Sequence, residues 1–281
     1  MKRAVTLSAL AVLLAATAAA PSAATPAPAP GAAPTAAGAH RPQPSARSLL
    51  DTVPRRGVLR VCTTGDYRPY TYRDPKTGAY SGVDLDMAKD LAASLEAKPR
   101  YVASTWASLV GDLAEGRCDI AMGGVSITLP RARAVAFSEP TRRDGKTPIV
   151  RCVDKEKYGT LEQIDRPETR VVVNPGGTNE EFARAHLKRA KVTVHPDNTT
   201  IFDEIIAGRA DVMMTDAGET LYQAKIHPEL CALHPDKPFT FSEKAYALPR
   251  GDAEFTAYVD QWVHLAKNDG TYEKYEDAWM K

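Results

Sequence analysis

A chain of 281 residues with 36 Lys and Arg against 35 Asp and Glu has a formal charge of +1, which excludes the basic excess that grips a nucleic-acid backbone. Residues 1–47 carry four of the basic side chains and none of the acidic ones, so the remainder holds 32 basic against 35 acidic residues. Hydrophobic residues make up 43 % of the chain, enough for two modest domains with real cores once the first 47 residues are set aside.

Lys2 and Arg3 precede an uncharged apolar run from Ala4 to Ala20, and small residues follow at Ser22–Ala24. This predicts a signal peptide over residues 1–24 and export to the periplasm or beyond the cell. The run is short for a membrane span and no second one occurs, so no membrane association is expected after cleavage. Residues 25–47 are almost entirely Ala, Pro, Gly and Ser, which predicts a disordered leader.

Ordered structure is expected from Ser48. Leu59–Cys62 reads as a strand running into the polar loop Thr63–Tyr67. Residues 82–96 place Leu85, Ala88, Leu91, Ala92 and Leu95 on one helical face. Ser108–Met122 then gives helical spacing, Gly116-Arg117-Cys118-Asp119, and a short apolar strand before the loop Gly123–Thr128. The second half repeats the pattern. Thr169–Val173 runs into the loop Asn174–Glu180, and Thr200–Met214 gives helical spacing, Gly208-Arg209-Ala210-Asp211, and a strand before Thr215–Glu219. Gly116 and Gly208 stand where a helix C-cap wants positive φ.

Strands alternating with helices predict an α/β protein of two lobes, each a mostly parallel sheet flanked by helices. Such sheets bind ligands beyond the carboxyl ends of their strands, which puts the four polar loops around an interlobe cleft. Thr141–Lys146 fits a first crossing between lobes. Ala245–Leu248 fits a strand returning to the first lobe, with the helix Ala253–Asn268 packing there. The expected division is residues 48–145 with 244–281 for the first lobe and 146–243 for the second. Among the four Cys of an exported chain, Cys152 and Cys231 are the better candidates for a disulfide. Cys62 and Cys118 fit buried free thiols equally well.

Several side chains on the loops could carry chemistry. Arg131 follows Ser126-Ile127-Thr128, where a guanidinium can grip a carboxylate bidentately while the two hydroxyls complete an anion site. Asp216 and Glu219, three residues apart on a first helical turn, share a face. The same pair also fits an N-cap and its capping-box partner. In a closed cleft two such carboxylates repel, so one keeps its proton, which a general acid requires. Tyr67, Tyr70, Tyr72 and Trp106 could stack on a ring, or pack as core. Lys146 stands at the presumed crossing, and Asn174 and Asn179 can donate amide hydrogen bonds. The six His lack metal-ligand spacing, and no nucleophile elbow, HExxH, CxxC or dinucleotide fingerprint occurs, so neither a metal nor an organic cofactor is expected.

Thr64-Gly65-Asp66-Tyr67, the 84–95 helix, Ser126-Ile127-Thr128 with Arg131, and the Asp216 loop resemble the polar amino-acid-binding proteins of ABC importers. That resemblance implies the periplasmic-binding-protein-like (type II) fold. Longer stretches resemble the cyclohexadienyl dehydratases built on the same fold: Arg143–Ile149, Val173–Glu180, His195–Asn198, Met213–Glu219 and His227–Cys231. The likeness runs from Gly57 to Trp279. It implies that prephenate, or L-arogenate, loses water and carbon dioxide to give phenylpyruvate, or L-phenylalanine. It makes Glu219 the general acid and Arg131 the holder of the side-chain carboxylate. Lys146, Asn174 and Asn179 would line the reacting ring, with Asp66, Tyr67 and Trp106 beside it. The resemblance also allows a homo-oligomer. Gly218 departs from the pattern and predicts a looser placement of Glu219. The reading from a different class is a non-catalytic amino-acid receptor, which has no obvious need for an acid beside Asp216.

Overall fold

The computed structural model describes residues 47–281, so the expected signal peptide and the leader up to residue 46 lie outside the described residues. Two five-stranded sheets organise the chain. The first runs, in spatial order, Lys98–Ala103, Val58–Thr63, Ile120–Ala121, Ala247–Leu248 and Ala136–Phe137. The second runs Lys191–Val194, Arg170–Val173, Val212–Asp216, Lys146–Arg151 and Leu230–Ala232. In each sheet the first three strands are parallel and the fourth is antiparallel to the third. Central runs such as Val171-Val172-Val173 are buried throughout, as a strand covered on both faces requires.

The repeated Gly-Arg-x-Asp has a physical meaning in this arrangement. Asp119 accepts the backbone N–H of Arg60 at 2.7 Å and also pairs with the Arg60 guanidinium. Asp211 does the same for Arg170, accepting its N–H at 2.9 Å and its guanidinium at 2.5 Å. Each Asp thus fixes the start of the second strand of its sheet to the joint before the third. Gly116 and Gly208 both adopt φ of +71°, the left-handed turn their helices need to stop.

The helix expected over 82–96 spans Val83–Ser94 and ends before Glu96, which takes a positive φ of 52°. Its buried Met87 and Leu91 join Phe255, Val259 and Trp262 of the helix Ala253–Asn268 in one core beneath the first sheet. The second sheet has a core on each face, one around Phe182 and Met214, the other around Phe202 and Met213. Each such side chain, fully buried, contributes on the order of 1.5–3 kcal/mol. The strands Arg142–Asp144 and Ser242–Lys244 pair antiparallel, so the two crossings between the sheets form one ribbon.

Cys152 bonds Cys231, joining the 3-10 turn after Lys146–Arg151 to Leu230–Ala232 within the second sheet's side. Cys62 and Cys118 are also bonded, tying the strand Val58–Thr63 to the turn before Ile120, so the free-thiol alternative does not hold. Among the described residues no helix is long and apolar enough to cross a membrane.

Candidate active site

The register of the second sheet sets the centre of the site. Strand Val212–Asp216 ends with Asp216 directly opposite Lys146, the first residue of its antiparallel neighbour. Lys146 Nζ donates to Asp216 Oδ1 at 2.7 Å. The ribbon brings a second lysine to the other oxygen: Lys244 Nζ donates to Asp216 Oδ2 at 2.6 Å. Tyr67 Oη, from the first sheet's loop, donates to the same oxygen at 2.6 Å. Lys244 also donates to Ser126 Oγ at 2.8 Å and to Tyr67 Oη at 3.3 Å. Asp216, Lys146 and Lys244 are 2 %, 5 % and 2 % exposed, so these charges are satisfied by one another rather than by water. Burial alone would push the Asp216 carboxyl up. The two lysines outweigh it and hold the group ionised, far below the usual carboxylate range. Burial pulls the Lys146 ammonium down, against the upward pull of Asp216.

Glu219 stands on the first turn of the helix Ala217–Ile226 and is 0 % exposed. Its Oε2 accepts from Thr215 Oγ1 at 2.5 Å, while Oε1 has no hydrogen-bond partner among the described residues. Burial, and then the neighbouring charge of Asp216, raises this carboxyl well above its ordinary value; the Thr215 hydroxyl opposes them only in part. Glu219 therefore holds its proton to higher pH than an ordinary carboxyl does, beside an Asp216 kept ionised by its lysines. The capping-box alternative fails on geometry. Asp216 is the N-cap by position, but its side chain caps no helix N–H and faces the lysines, and Glu219 turns to Thr215.

An amide chain links acid and cations. Asn179 Nδ2 donates to Thr215 Oγ1 at 3.0 Å and to Asn174 Oδ1 at 2.8 Å, and Asn179 Oδ1 accepts from Lys146 at 2.5 Å. Lys146 also donates to Thr178 Oγ1 at 2.8 Å. The space that Gly218 leaves is filled by side chains of the first sheet's side and the ribbon. A Cβ there would lie 2.1 Å from Tyr70 Oη and 3.2 Å from Asp144 Oδ2. The missing side chain makes room for Tyr70, whose hydroxyl faces Asp144 at 3.4 Å, and Asp144 in turn accepts the Gly218 N–H at 3.2 Å.

Tyr67, Trp106, Asn174, Asn179, Asp216 and Lys244 line a narrow cavity between the two sheets' loops. Tyr67 and Trp106 meet edge to face with centroids 5.3 Å apart, and Trp106 Nε1 donates to Asp66 Oδ1 at 3.1 Å. Burial raises the Asp66 carboxyl. Asn198, from the second sheet's side, donates to the Asp66 carbonyl at 2.8 Å, so contacts close the cleft from both sides. Arg131 stands outside this network. Its Nη1 donates to the Ser126 carbonyl at 3.0 Å, its N–H is capped by Thr128 Oγ1 at 3.3 Å, and it forms no ion pair among the described residues. Burial pulls its guanidinium down; the more distant Glu181 and Asp216 pull it up. Sequence reasoning missed Lys244 and Thr215. Lys244 carries no motif; its one signal is its place just before the returning strand, at the point where the chain re-enters the first sheet.

A profile of the bacterial extracellular solute-binding proteins, family 3, matches residues 59–281. The chain is 54 % identical over 234 residues to the cyclohexadienyl dehydratase of Pseudomonas aeruginosa, covering 83 % of this chain and 87 % of that one. It is 26 % identical over 233 residues to the L-cystine-binding protein TcyJ of Escherichia coli, covering 83 % and 86 %. The crystal structure of the ancestral amino acid-binding protein AncCDT-1, a precursor of cyclohexadienyl dehydratase, superposes with a TM-score of 0.76 at 36 % identity, over 83 % of this chain and all of that one.

Proposed function

The chain belongs to the family 3 bacterial extracellular solute-binding proteins, and from that premise we propose that it is an exported cyclohexadienyl dehydratase, converting prephenate to phenylpyruvate, L-arogenate to L-phenylalanine, or both. The observation that carries the reading is Glu219, a fully buried carboxyl with a raised pKa and one oxygen unengaged, next to a cavity walled by aromatic rings and amides.

The reaction needs one proton at the right place. A ring hydroxyl is a poor leaving group until protonated, and Glu219 is the group held in its acid form to do it. As the proton moves to the hydroxyl oxygen, the ring C–O bond breaks and water leaves. The bond to the ring carboxylate breaks with it; its electron pair enters the ring and carbon dioxide departs. Aromatisation supplies the driving force. Glu219 is left ionised and regains its proton from solvent when the cleft opens. Asn174 and Asn179, fixed to each other and to Lys146, hold the ring in register, and Tyr67 and Trp106 flank it. Arg131, a cation without a carboxylate of its own among the described residues, takes the side-chain carboxylate by swinging from the Ser126 carbonyl. In a closed cleft the two amides and the two rings need little reorganisation.

The experiment is direct: ultraviolet detection of phenylpyruvate formed from prephenate by purified residues 48–281 at neutral pH. Turnover far above the uncatalysed rate supports the dehydratase. No turnover of prephenate or L-arogenate, with amino acids raising the melting temperature, would leave a solute receptor in its place.

A further inference from the structure

Lys146 has three ammonium protons. The described residues take all of them: Asp216 Oδ1 at 2.7 Å, Thr178 Oγ1 at 2.8 Å and Asn179 Oδ1 at 2.5 Å. An ammonium only donates, so the oxygen of the Asn179 amide has to face it and the amide nitrogen faces away. The two N–H groups of that nitrogen go to Asn174 Oδ1 at 2.8 Å and to Thr215 Oγ1 at 3.0 Å. Thr215 therefore receives a hydrogen bond on one side and has a single proton to give. Its acceptor among the described residues is Glu219 Oε2, at 2.5 Å. The direction of every bond in this chain is set at its cationic end.

That direction decides which oxygen of the acid carries its proton. With the proton on Oε2, that oxygen would donate to Thr215, and the Thr215 proton would be buried without an acceptor in a residue 0 % exposed. On Oε1 the proton is free to leave, because Oε1 has no partner among the described residues. Resting on the dehydratase reading, we propose that Thr215 is a positioning residue: polarised by Lys146 through Asn179, it holds Glu219 by Oε2 as the carbonyl oxygen and keeps the transferable proton on Oε1. Thr215 is not among the residues lining the cavity and acts through Glu219. Its hydroxyl also favours the ionised form of Glu219. Lys244 on the ribbon acts with it, while burial, Asp216 on the same strand and Asp66 of the first sheet's loop act against it. The Tyr67 phenol faces the acid as well and stays protonated, its own pKa raised by burial. Removing the Thr215 hydroxyl therefore leaves a weaker and less well aimed acid.

The test compares Thr215→Val, which keeps the shape and loses the hydroxyl, with Thr215→Ser, which keeps the hydroxyl. In Thr215→Val, kcat for prephenate is expected to fall by about 10–100-fold with KM changed by less than about threefold. The alkaline limb of kcat moves to higher pH, which a purely structural role would not produce. Thr215→Ser is expected to restore kcat to within about threefold of wild type and to return the limb to its place. An unmoved limb with wild-type kcat in Thr215→Val, or a Ser variant as impaired as the Val one, overturns the proposal. A second measurement needs neither turnover nor a folded Val variant. In infrared difference spectra of the wild type against Glu219→Gln at about pH 6, where an ordinary Glu is ionised, the carboxyl C=O band of Glu219 should lie where a hydrogen-bonded carbonyl absorbs. A band at the free-carbonyl position, or no carboxyl band, overturns the proposal. Turnover of neither prephenate nor L-arogenate defeats the dehydratase reading instead, and the infrared band still decides for or against Thr215.

Discussion

Replacing Glu219 with Gln separates the acid from its surroundings. The amide has the shape of the carboxyl, and its oxygen can still accept from Thr215 Oγ1, the one hydrogen bond Glu219 makes. Its NH₂ takes the place of the unpartnered Oε1 and brings one buried N–H more than the single O–H of the acid. Stability should therefore fall by no more than about 1–3 kcal/mol. Turnover should fall by about 10²–10⁴-fold, the usual worth of a positioned general acid, or roughly 2.7–5.4 kcal/mol of barrier. The pH profile adds a second signature. Burial and the Asp216 charge raise the Glu219 carboxyl, so the active acid form is complete below its native pKa and is lost as pH rises through it. The wild type should show an alkaline limb in kcat that the residual rate of Glu219→Gln lacks. The assay is initial-rate phenylpyruvate formation with the uncatalysed rate subtracted, alongside thermal melts of both proteins. A Gln variant that melts normally and turns over within a fewfold of wild type would refute the general-acid argument. Loss of turnover together with a collapsed melt would make Glu219 a structural residue.

Gly218→Ala should destabilise the protein by about 1–3 kcal/mol in denaturant titration, because its Cβ has no space beside Tyr70 Oη. Wild-type stability in that variant would mean the Tyr70–Asp144 contact is loose. Arg131→Ala should raise KM for prephenate by about 10–100-fold with a smaller effect on kcat, as expected for the loss of a charged hydrogen bond to a carboxylate. An unchanged KM would remove Arg131 from the binding site. Asp84 is buried under Gly123, Gly124 and Tyr246, and burial raises its carboxyl from 3.8 to about 6. The native state therefore binds this proton more tightly than the unfolded chain does. Its contribution to stability is full below pH 3.8 and is lost as pH rises through 6, about 3 kcal/mol in all. Asp84→Asn should flatten that slope in denaturant melts from pH 4 to 8, and a slope as steep as the wild type's would exclude Asp84 as its source.

The repeat was legible because it records backbone requirements. A helix that must stop needs Gly at positive φ, and a strand that must start beside it needs an acid to hold its N–H, so Gly116, Asp119, Gly208 and Asp211 recur at matched spacing. The strand returning at Ala247–Leu248 was legible from its run of apolar residues. Asp216 and Glu219 were visible as a pair, but their division into an ion and a proton-holding acid was not. That division depends on burial and on a lysine from the far end of the chain. Lys244 lies 28 residues beyond Asp216, on a ribbon strand with no alternation or motif of its own. The need for Gly at 218 is hidden in the sequence for a related reason. The residue that fills its missing side chain is Tyr70, from the turn after Asp66–Tyr67, and no local pattern announces a contact of that range.

The two disulfides join the first cysteine to the second and the third to the fourth. A chain entering an oxidising compartment N-terminus first presents Cys118 to Cys62 while Cys152 and Cys231 are still to come. Once that bridge has closed, the two remaining thiols have only each other. Oxidation that keeps pace with emergence therefore gives the native connectivity without reshuffling.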